Sequence, residues 1–265
     1  MHANTINICL GHKPFPSAHS TFFDYHLSPV EIPGVERLIV VPDSTFGPHG
    51  SCLSEYAQLL WLAKNSRLMD GFDFVRVIQY RRFVSGRNTG STLNNMTWAI
   101  GVKESELPAH ATDFSRLSQS ELLNTVVNLP LIGLGANVYT QYASAHVPED
   151  ILNFSQFLLN REILEENEVG LFLGDYLFIP ACNTGLFKKS EFMKVSEQLL
   201  RAAEFVASKD FVLRTDYQRR SVGFLLERLN SFLILNAIRA GRREPSFGFN
   251  KLITESPLAT ITSNI

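Results

Sequence analysis

Short β-rich runs in this chain stop abruptly at proline or glycine and give way to stretches of helical period, and that alternation is what most limits the fold. Ile6-Asn7-Ile8-Cys9-Leu10 stops at Gly11-His12-Lys13-Pro14-Phe15-Pro16, and Arg37-Leu38-Ile39-Val40-Val41 stops at Pro42-Asp43. Proline has no N–H to give a ladder, so each run reads as a strand feeding a loop. Between Gly50 and Arg67, Leu53, Tyr56, Leu60 and Ala63 recur at helical spacing, with Ser51 as the N-cap. Phe72–Tyr80 then alternates and is rich in Val, Ile and Phe, which predicts a strand carrying Gln79-Tyr80-Arg81-Arg82 at its end. Strands alternating with helices predict an α/β fold, a mostly parallel central sheet with helices on both faces.

The rest of the chain fits one domain. Residues 85–135 are less regular and predict a long loop over the sheet face, with a strand at Trp98–Val102 and a helix near Ser118–Val127. Pro148 followed by Glu149 and Asp150 suits a helix start, and that helix is expected to run to Glu166. Leu171–Ile179 and Thr184–Phe187 are strand-like, while Ser190–Ala207 and Tyr217–Ala240 have helical period. From Glu244 onward no period is strong, so the chain divides into a domain over 1–243 and a tail over 244–265. With 265 residues, 45% of them hydrophobic, it can bury a full core.

Charge and cysteine usage exclude several classes. Lys+Arg 24 against Asp+Glu 26 leaves a net charge of -2, so no basic field would attract nucleic acid. Cys9, Cys52 and Cys182 lie far apart in apolar runs and read as reduced, buried thiols. The N-terminus lacks a positive n-region, and no apolar stretch comes near the ~20 residues of a membrane span, so a cytoplasmic location is expected. Arg239, Arg242 and Arg243 form a basic cluster suited to peripheral contact with anionic lipid of an inner membrane.

Parallel sheets bind ligands beyond the carboxyl ends of their strands, which singles out the loops after the first and third strands. In the first, Gly11 lets a backbone approach, His12 and Lys13 supply donors for a base or diphosphate, and Phe15 offers a stacking ring; a polar loop fixed by proline is the plainer alternative. In the second, adjacent arginines at a strand end point to opposite faces, so one of Arg81 and Arg82 faces the crevice, there to hold phosphate oxygens or form a salt bridge. Neither GxGxxG nor GxxxxGK[ST] is present, which removes support for a Rossmann dinucleotide site or a Walker loop. Glu227 interrupts an apolar helix four residues after Gly223 and either deprotonates a hydroxyl or pairs with an arginine. His146, just before Pro148, either packs at the helix start or touches substrate.

Several ordered blocks resemble a bacterial family of glycosyltransferase-like domains found in capsule, exopolysaccharide and lipopolysaccharide gene clusters. His12-Lys13-Pro14-Phe15 resembles its His-Lys-Pro-aromatic motif, and Ser54-Glu55 through Trp61 to Lys64-Asn65 resembles its Ser-Glu…Tyr-Trp-x-x-Lys-Asn helix. Gln79-Tyr80-Arg81-Arg82 is similar to its His-Tyr-Arg-Arg signature, with Gln79 where the family usually has His. Gln141-Tyr142 with His146, Asn183 to Phe192, and Gly223 to Leu229 are similar to three further blocks.

The resemblance implies a GT-A-like fold and sugar transfer from a nucleotide-sugar donor, UDP-type favoured, to a glycan or lipid-linked acceptor of bacterial surface polysaccharide. Under it, Gly11, His12, Lys13, Phe15, Ser54, Glu55, Lys64, Asn65 and Tyr80 are expected at the nucleotide pocket, with Gln79 and Arg81 or Arg82 at the diphosphate. Asn183 and His146 are expected at the sugar, and Glu227 as catalytic base. Such folds usually hold Mn or Mg with Asp-x-Asp, which this chain lacks; arginines and Lys13 replace the cation, or separate carboxylates such as Asp43 and Asp175 assemble its site. A non-catalytic sugar-nucleotide or glycan-binding subunit is the rival reading. A hydrolase with paired carboxylates is a third, with no pair placed for it.

Overall fold

The computed structural model describes residues 4–16, 22–87, 89–93, 96–111, 125–127, 132–133, 135–241, 244–246 and 248–254. Its centre is a run of four parallel strands: β1 (Thr5–Leu10) lies between β2 (Tyr25–Ser28) and β4 (Phe74–Gln79), and β3 (Leu38–Val40) flanks β2. Beyond β4 the sheet becomes mixed. β5 (Arg82–Ser85) and β11 (Gly185–Lys188) both run antiparallel to β4, and β13 (Phe249–Ile253) sits between β5 and β7 (Met96–Val102). β6 (Ser91–Leu93), β8 (Thr125–Val127) and β12 (Glu244–Ser246) complete eleven strands among the described residues, and β9 (Ile132–Gly133) pairs separately with β10 (Leu177–Phe178).

Period-2 alternation sorts side chains into two cores. Ile6, Ile8, Leu10, Val75 and Val77 enter the larger, while Cys9 and Ile78 enter the smaller. The larger core is roofed by α1 (Tyr56–Lys64), α3 (Val138–Ala145), α4 (Pro148–Asn160), α5 (Glu166–Gly174), α6 (Lys189–Ala203) and α7 (Ser221–Arg239). On the opposite face the short α2 (Leu107–Ala111) gives Leu107, and the segments around Phe15 and Phe22 supply the rest. The three cysteines are buried and form no disulfide. With its preceding turn, α7 is long and apolar enough to cross a membrane by composition, but most of that stretch lies inside the fold. Each Leu or Phe so buried contributes roughly 1.5–3 kcal/mol.

Several expectations are corrected. The helix expected from Ser51 is broken: Gly50–Leu53 is a 3-10 turn, Ser54 is left-handed at φ 54°, and α1 starts at Tyr56. Gly223 explains the break, because a Cβ there would stand 2.9 Å from the Ser54 Cβ and 3.0 Å from the Leu53 carbonyl; its absence lets α7 press against this corner. The helix from Pro148 ends at Asn160, and the strand expected at Leu171–Ile179 is mostly α5. Glu165 and Glu168 cap α5 reciprocally, and this local signal overrides the β-rich composition. Ser91–Leu93, Met96–Val102 and Leu107–Ala111 form β6, β7 and α2, so the strand expected at Trp98–Val102 is present but stands among further regular elements rather than in a long loop; 125–127 are a strand, and 118–124 of the helix expected there lie outside the described residues. Residues 244–246 and 249–253 belong to the sheet and not to a surface tail.

His146 closes the corner between α3, α4 and α7. Its ring lies 4.4 Å from Phe224, 4.7 Å from Tyr142 and 6.0 Å from Tyr217, and Nδ1 bonds Gln218 Oε1 at 3.1 Å. Burial and the nearby Arg228 charge lower its pKa to about 4, against which the Gln218 bond is the smaller influence.

Two outcomes are expected. Gly223→Ala forces backbone and Ser54 apart and lowers stability by about 1–3 kcal/mol, read as a reduced urea midpoint at unchanged m. Folded His146 stays neutral while the unfolded chain takes up its proton below the ordinary 6.5, so stability falls as pH drops from there toward about 4. Denaturation of His146→Phe across that window should be flatter than wild type; parallel curves would remove His146 as the source.

Candidate functional site

The site begins where β4 changes partner. Its first half pairs β11 along one edge, from Phe74↔Lys188 to Val77↔Gly185, and at Gln79 that edge passes to β5 through the pair Gln79↔Arg82. β11 and the chain before it diverge there, and the gap is spanned by Gln79 Nε2 donating to Asn183 Oδ1 at 3.4 Å. Gln79 shares the face of Val75 and Val77, so the opening lies under α1 and α7 at the carboxyl end of the parallel strands.

Tyr80 and Arg81 are the two turn residues of the β4–β5 hairpin rather than a strand end. The two arginines still separate: Arg81 is exposed with its guanidinium 5.6 Å from the Tyr80 ring centroid, whereas Arg82 is half-buried. Burial lowers the Arg82 pKa, the Glu227 charge raises it, Arg81 lowers it and Glu55 raises it. Arg82 thus feels two carboxylates, one on α7 and one just before α1.

β1 ends beside this hairpin. Leu10 pairs Gln79, and the Tyr80 N–H donates to the Leu10 carbonyl at 3.0 Å. Gly11 has φ 145°, and a Cβ there would meet Tyr80 Cδ1 at 2.6 Å, so glycine here admits Tyr80 and not a ligand. His26 Nε2, 2.9 Å from the Gly11 carbonyl, fixes the turn as a donor; burial lowers its pKa against the raising effect of that bond. His12 is exposed with its ring 5.3 Å from Tyr80, and Lys13 is exposed next to it. Phe15 is a correction: only 4% exposed, it stacks on Phe22 at 5.1 Å inside the smaller core, because an aromatic ring buries more favourably there than in a polar loop.

Ser54 and Glu55 form the opposite wall. Arg220 donates to Ser54 Oγ at 3.0 and 2.6 Å and to Glu55 Oε2 at 3.0 Å, and the Ser54 hydroxyl donates to the same carboxylate oxygen. Burial pushes the Glu55 pKa up, but Arg220, Ser54 and Arg82 outweigh it and hold the carboxyl below its ordinary value. Lys64 and Asn65 stand at the other end of α1, about 13 Å along the helix from Glu55. There the Lys64 ammonium covers the Phe46 ring at 4.7 Å, and Asn65 Nδ2 caps the Trp61 carbonyl. They do not join the cluster.

Glu227 projects from α7 on a stripe with Arg220, Phe224 and Ser231, at i, i+4, i+7 and i+11. Its Oε1 accepts from the Ala181 N–H at 3.0 Å, and Ser231 Oγ accepts from Ile179 N at 2.8 Å, which anchors the turn carrying Asn183. Ala181 is left-handed at φ 53°. Ser54, Ala181 and Asp216 are three of the four left-handed non-glycine residues described, and each adjoins this cluster; such conformations persist where the surroundings over-determine them. Behind Asn183 an apolar cavity of about 20 Å³, lined by Leu59, Phe192, Leu199 and Ile234, has room for about one water and none for a sugar.

Arg220, Tyr217, Arg228 and His26 carry much of this geometry and were not singled out as site residues by sequence. Their signal lay in spacing: Arg220 to Phe224 to Glu227 is a helical stripe. Arg228 donates to Gln141 Oε1 at 2.7 Å and covers the Tyr142 ring at 4.8 Å, so the Gln141-Tyr142…His146 and Gly223–Leu229 blocks are in contact. Elsewhere, Arg239 binds Asp175 through two bonds of 2.6 and 2.8 Å, which occupies both the basic cluster's first member and one expected cation ligand; Arg242 and Arg243 lie outside the described residues. Asp43 is exposed in a 3-10 turn, and no three metal-ligating side chains gather among the described residues.

No protein-family profile matches the chain, and no curated protein matches it. Among solved structures it is similar to the apo structure of WbbM, a bifunctional glycosyltransferase, with a TM-score of 0.70 at 15% identity. The match covers 95% of this chain and 46% of that one, so this chain spans a little under half of that neighbour. The α/β fold expected from the sequence is therefore one shared with a solved glycosyltransferase structure.

Proposed function

We propose that the protein is a glycosyltransferase that moves a sugar from a nucleoside-diphosphate donor to a glycan or lipid-linked acceptor of bacterial surface polysaccharide. One observation carries this reading: the Leu10↔Gln79 register sets side by side the two strand ends that lead into exposed His12, Lys13 and Arg81, and Arg82 of the same hairpin feels the Glu227 charge. His12, Lys13 and Arg81 meet the diphosphate, and Tyr80 supports them. Arg82, flanked by Glu55 and Glu227, holds the carboxylates in place, while Gln79 and Asn183 offer amide groups to the donor sugar. The fold shared with a solved glycosyltransferase structure supports the general reading, sugar transfer. A cytoplasmic location, where nucleotide sugars are made, goes with it.

In the inverting form of the reaction, Glu227 takes the proton of the acceptor hydroxyl as its oxygen bonds to the anomeric carbon. The bond from that carbon to the diphosphate breaks, and the nucleoside diphosphate leaves with the electron pair. Charge growing on it is met by Lys13 and Arg81. The described carboxylates do not fit a dedicated Mn or Mg site, since Asp175 is held by Arg239, and no step is assigned to a cation.

Glu227→Gln is expected to lower kcat by about 10²–10⁴-fold while UDP still raises Tm as in wild type. Full turnover by that variant would remove Glu227 as base. Arg81→Ala should weaken UDP binding about 10–100-fold, the loss of a charge-assisted contact. The engagement of Gln79 with Asn183, where a family His would stand, favours a second reading as a non-catalytic donor-binding subunit. Nucleotide-sugar binding without transfer, over a panel of acceptors and with Mn added, is the result that would establish it.

A further inference from the structure

The hairpin side and the helix side of the candidate site differ in chemistry. The hairpin side carries free cationic side chains, Lys13 and Arg81, beside Tyr80. On the helix side stand stacked rings: Tyr217 is 53% exposed, 5.1 Å from Phe224 and 6.0 Å from His146, and Phe224 lies 4.4 Å from His146. Of the guanidinium groups there, Arg220 lies 5.5 Å over Phe224 and is already bonded to Ser54 and Glu55, Arg228 is buried and bonded to Gln141, and Arg219 is exposed in the turn that carries Tyr217.

We propose that Tyr217, backed by Phe224, is the stacking floor of an acceptor-saccharide subsite. The proposal rests on the glycosyltransferase reading and names the side from which the acceptor enters. A pyranose presents a face of C–H bonds and a rim of hydroxyls, so it suits an apolar ring with a few polar groups at its margin and needs no cation. A diphosphate needs the reverse, and the hairpin side supplies that.

The position is also productive. Phe224 and Glu227 are three residues apart on one helical face, roughly 5–6 Å between Cβ atoms, so a sugar on the rings would direct a hydroxyl toward the Glu227 carboxylate. The platform is held in advance: Gln218, next to Tyr217, donates to the Ala145 carbonyl at 3.0 Å and bonds His146. Burial and the Arg228 charge keep that imidazole neutral near physiological pH, which keeps a second charge out of the stack. Little ordering entropy then remains to be lost when a sugar binds.

The test uses the full chain, the variants Tyr217→Ala and Tyr217→Trp, and the methyl glycosides of galactose, glucose, mannose and N-acetylglucosamine as probes. Saturation-transfer NMR should show at least one glycoside bound to wild type through the protons of one ring face. Affinity should fall about tenfold in Tyr217→Ala and be kept in Tyr217→Trp, with the UDP-induced rise in Tm equal in all three proteins. Equal glycoside affinity in the alanine variant would overturn the proposal, as would no binding of any glycoside by wild type. Loss of UDP stabilisation in Tyr217→Ala would also overturn it, by placing the ring under a nucleobase. Failure of wild type to bind any nucleotide or sugar nucleotide would instead sink the glycosyltransferase reading, and with it the acceptor role.

Discussion

Strand β4 cannot keep one partner along its whole edge, and the site exists because of that. β11 pairs its backbone up to Val77 and β5 takes over at Gln79, so the edge is paired on either side of the point where the two partners part company. Closing the split would need β11 to continue past Gly185, but its chain turns through Ala181–Thr184, where the left-handed Ala181 gives its N–H to Glu227. Sheet and helix α7 are thereby linked through a carboxylate at the place where the sheet opens. Ligand sites in α/β folds favour points where strand connections diverge, and this is a version in which hydrogen-bond partners diverge along one edge.

The charges around that opening are arranged to restrain one another. Arg82 feels the charges of both Glu227 and Glu55, and Arg220 is bonded to Glu55, so each carboxylate has a guanidinium neighbour. A half-buried guanidinium with two carboxylate neighbours is a poor first contact for an incoming polyanion, whereas exposed Lys13 and Arg81 are well placed for one. Interior charges fix geometry and rim charges recruit, a division that follows from desolvation being costly inside and small outside.

Much of the fold is legible in the sequence because local signals and burial agree. The β-rich runs at Thr5–Leu10 and Phe74–Gln79 end at turn residues, and α4 starts on Pro148 with acidic residues behind it. Where the two disagree, reading fails. β13 has a lysine at its centre, yet Lys251 is fully buried because its ammonium donates to the Thr89 carbonyl at 2.6 Å, a partner 162 residues away that no local pattern reveals. In the site, Gln79, Arg82, Asn183, Glu55 and Glu227 come from five separate segments: β4, β5, the turn before β11, the residue before α1, and α7. Phe15 misleads because an aromatic in a polar loop looks like a stacking residue until a second core is known to lie beneath it. Lys64 and Asn65 mislead because they share a motif with Ser54 and Glu55 but not an end of α1.

The placement of β13 bears on how the protein is made. β5 and β7 are separated in the sheet by a strand that lies more than 140 residues further along the chain, so neither can complete its ladder on that side until residues 249–253 have been synthesised. Pairings this distant close slowly, because a long loop must be brought together before any contact rewards it. Until then the hairpin turn with Arg81 and the wall with Arg82 hang on an unfinished edge. The parallel strands can assemble while translation continues, and the crevice matures only once the ribosome has passed the last of the strand-forming residues.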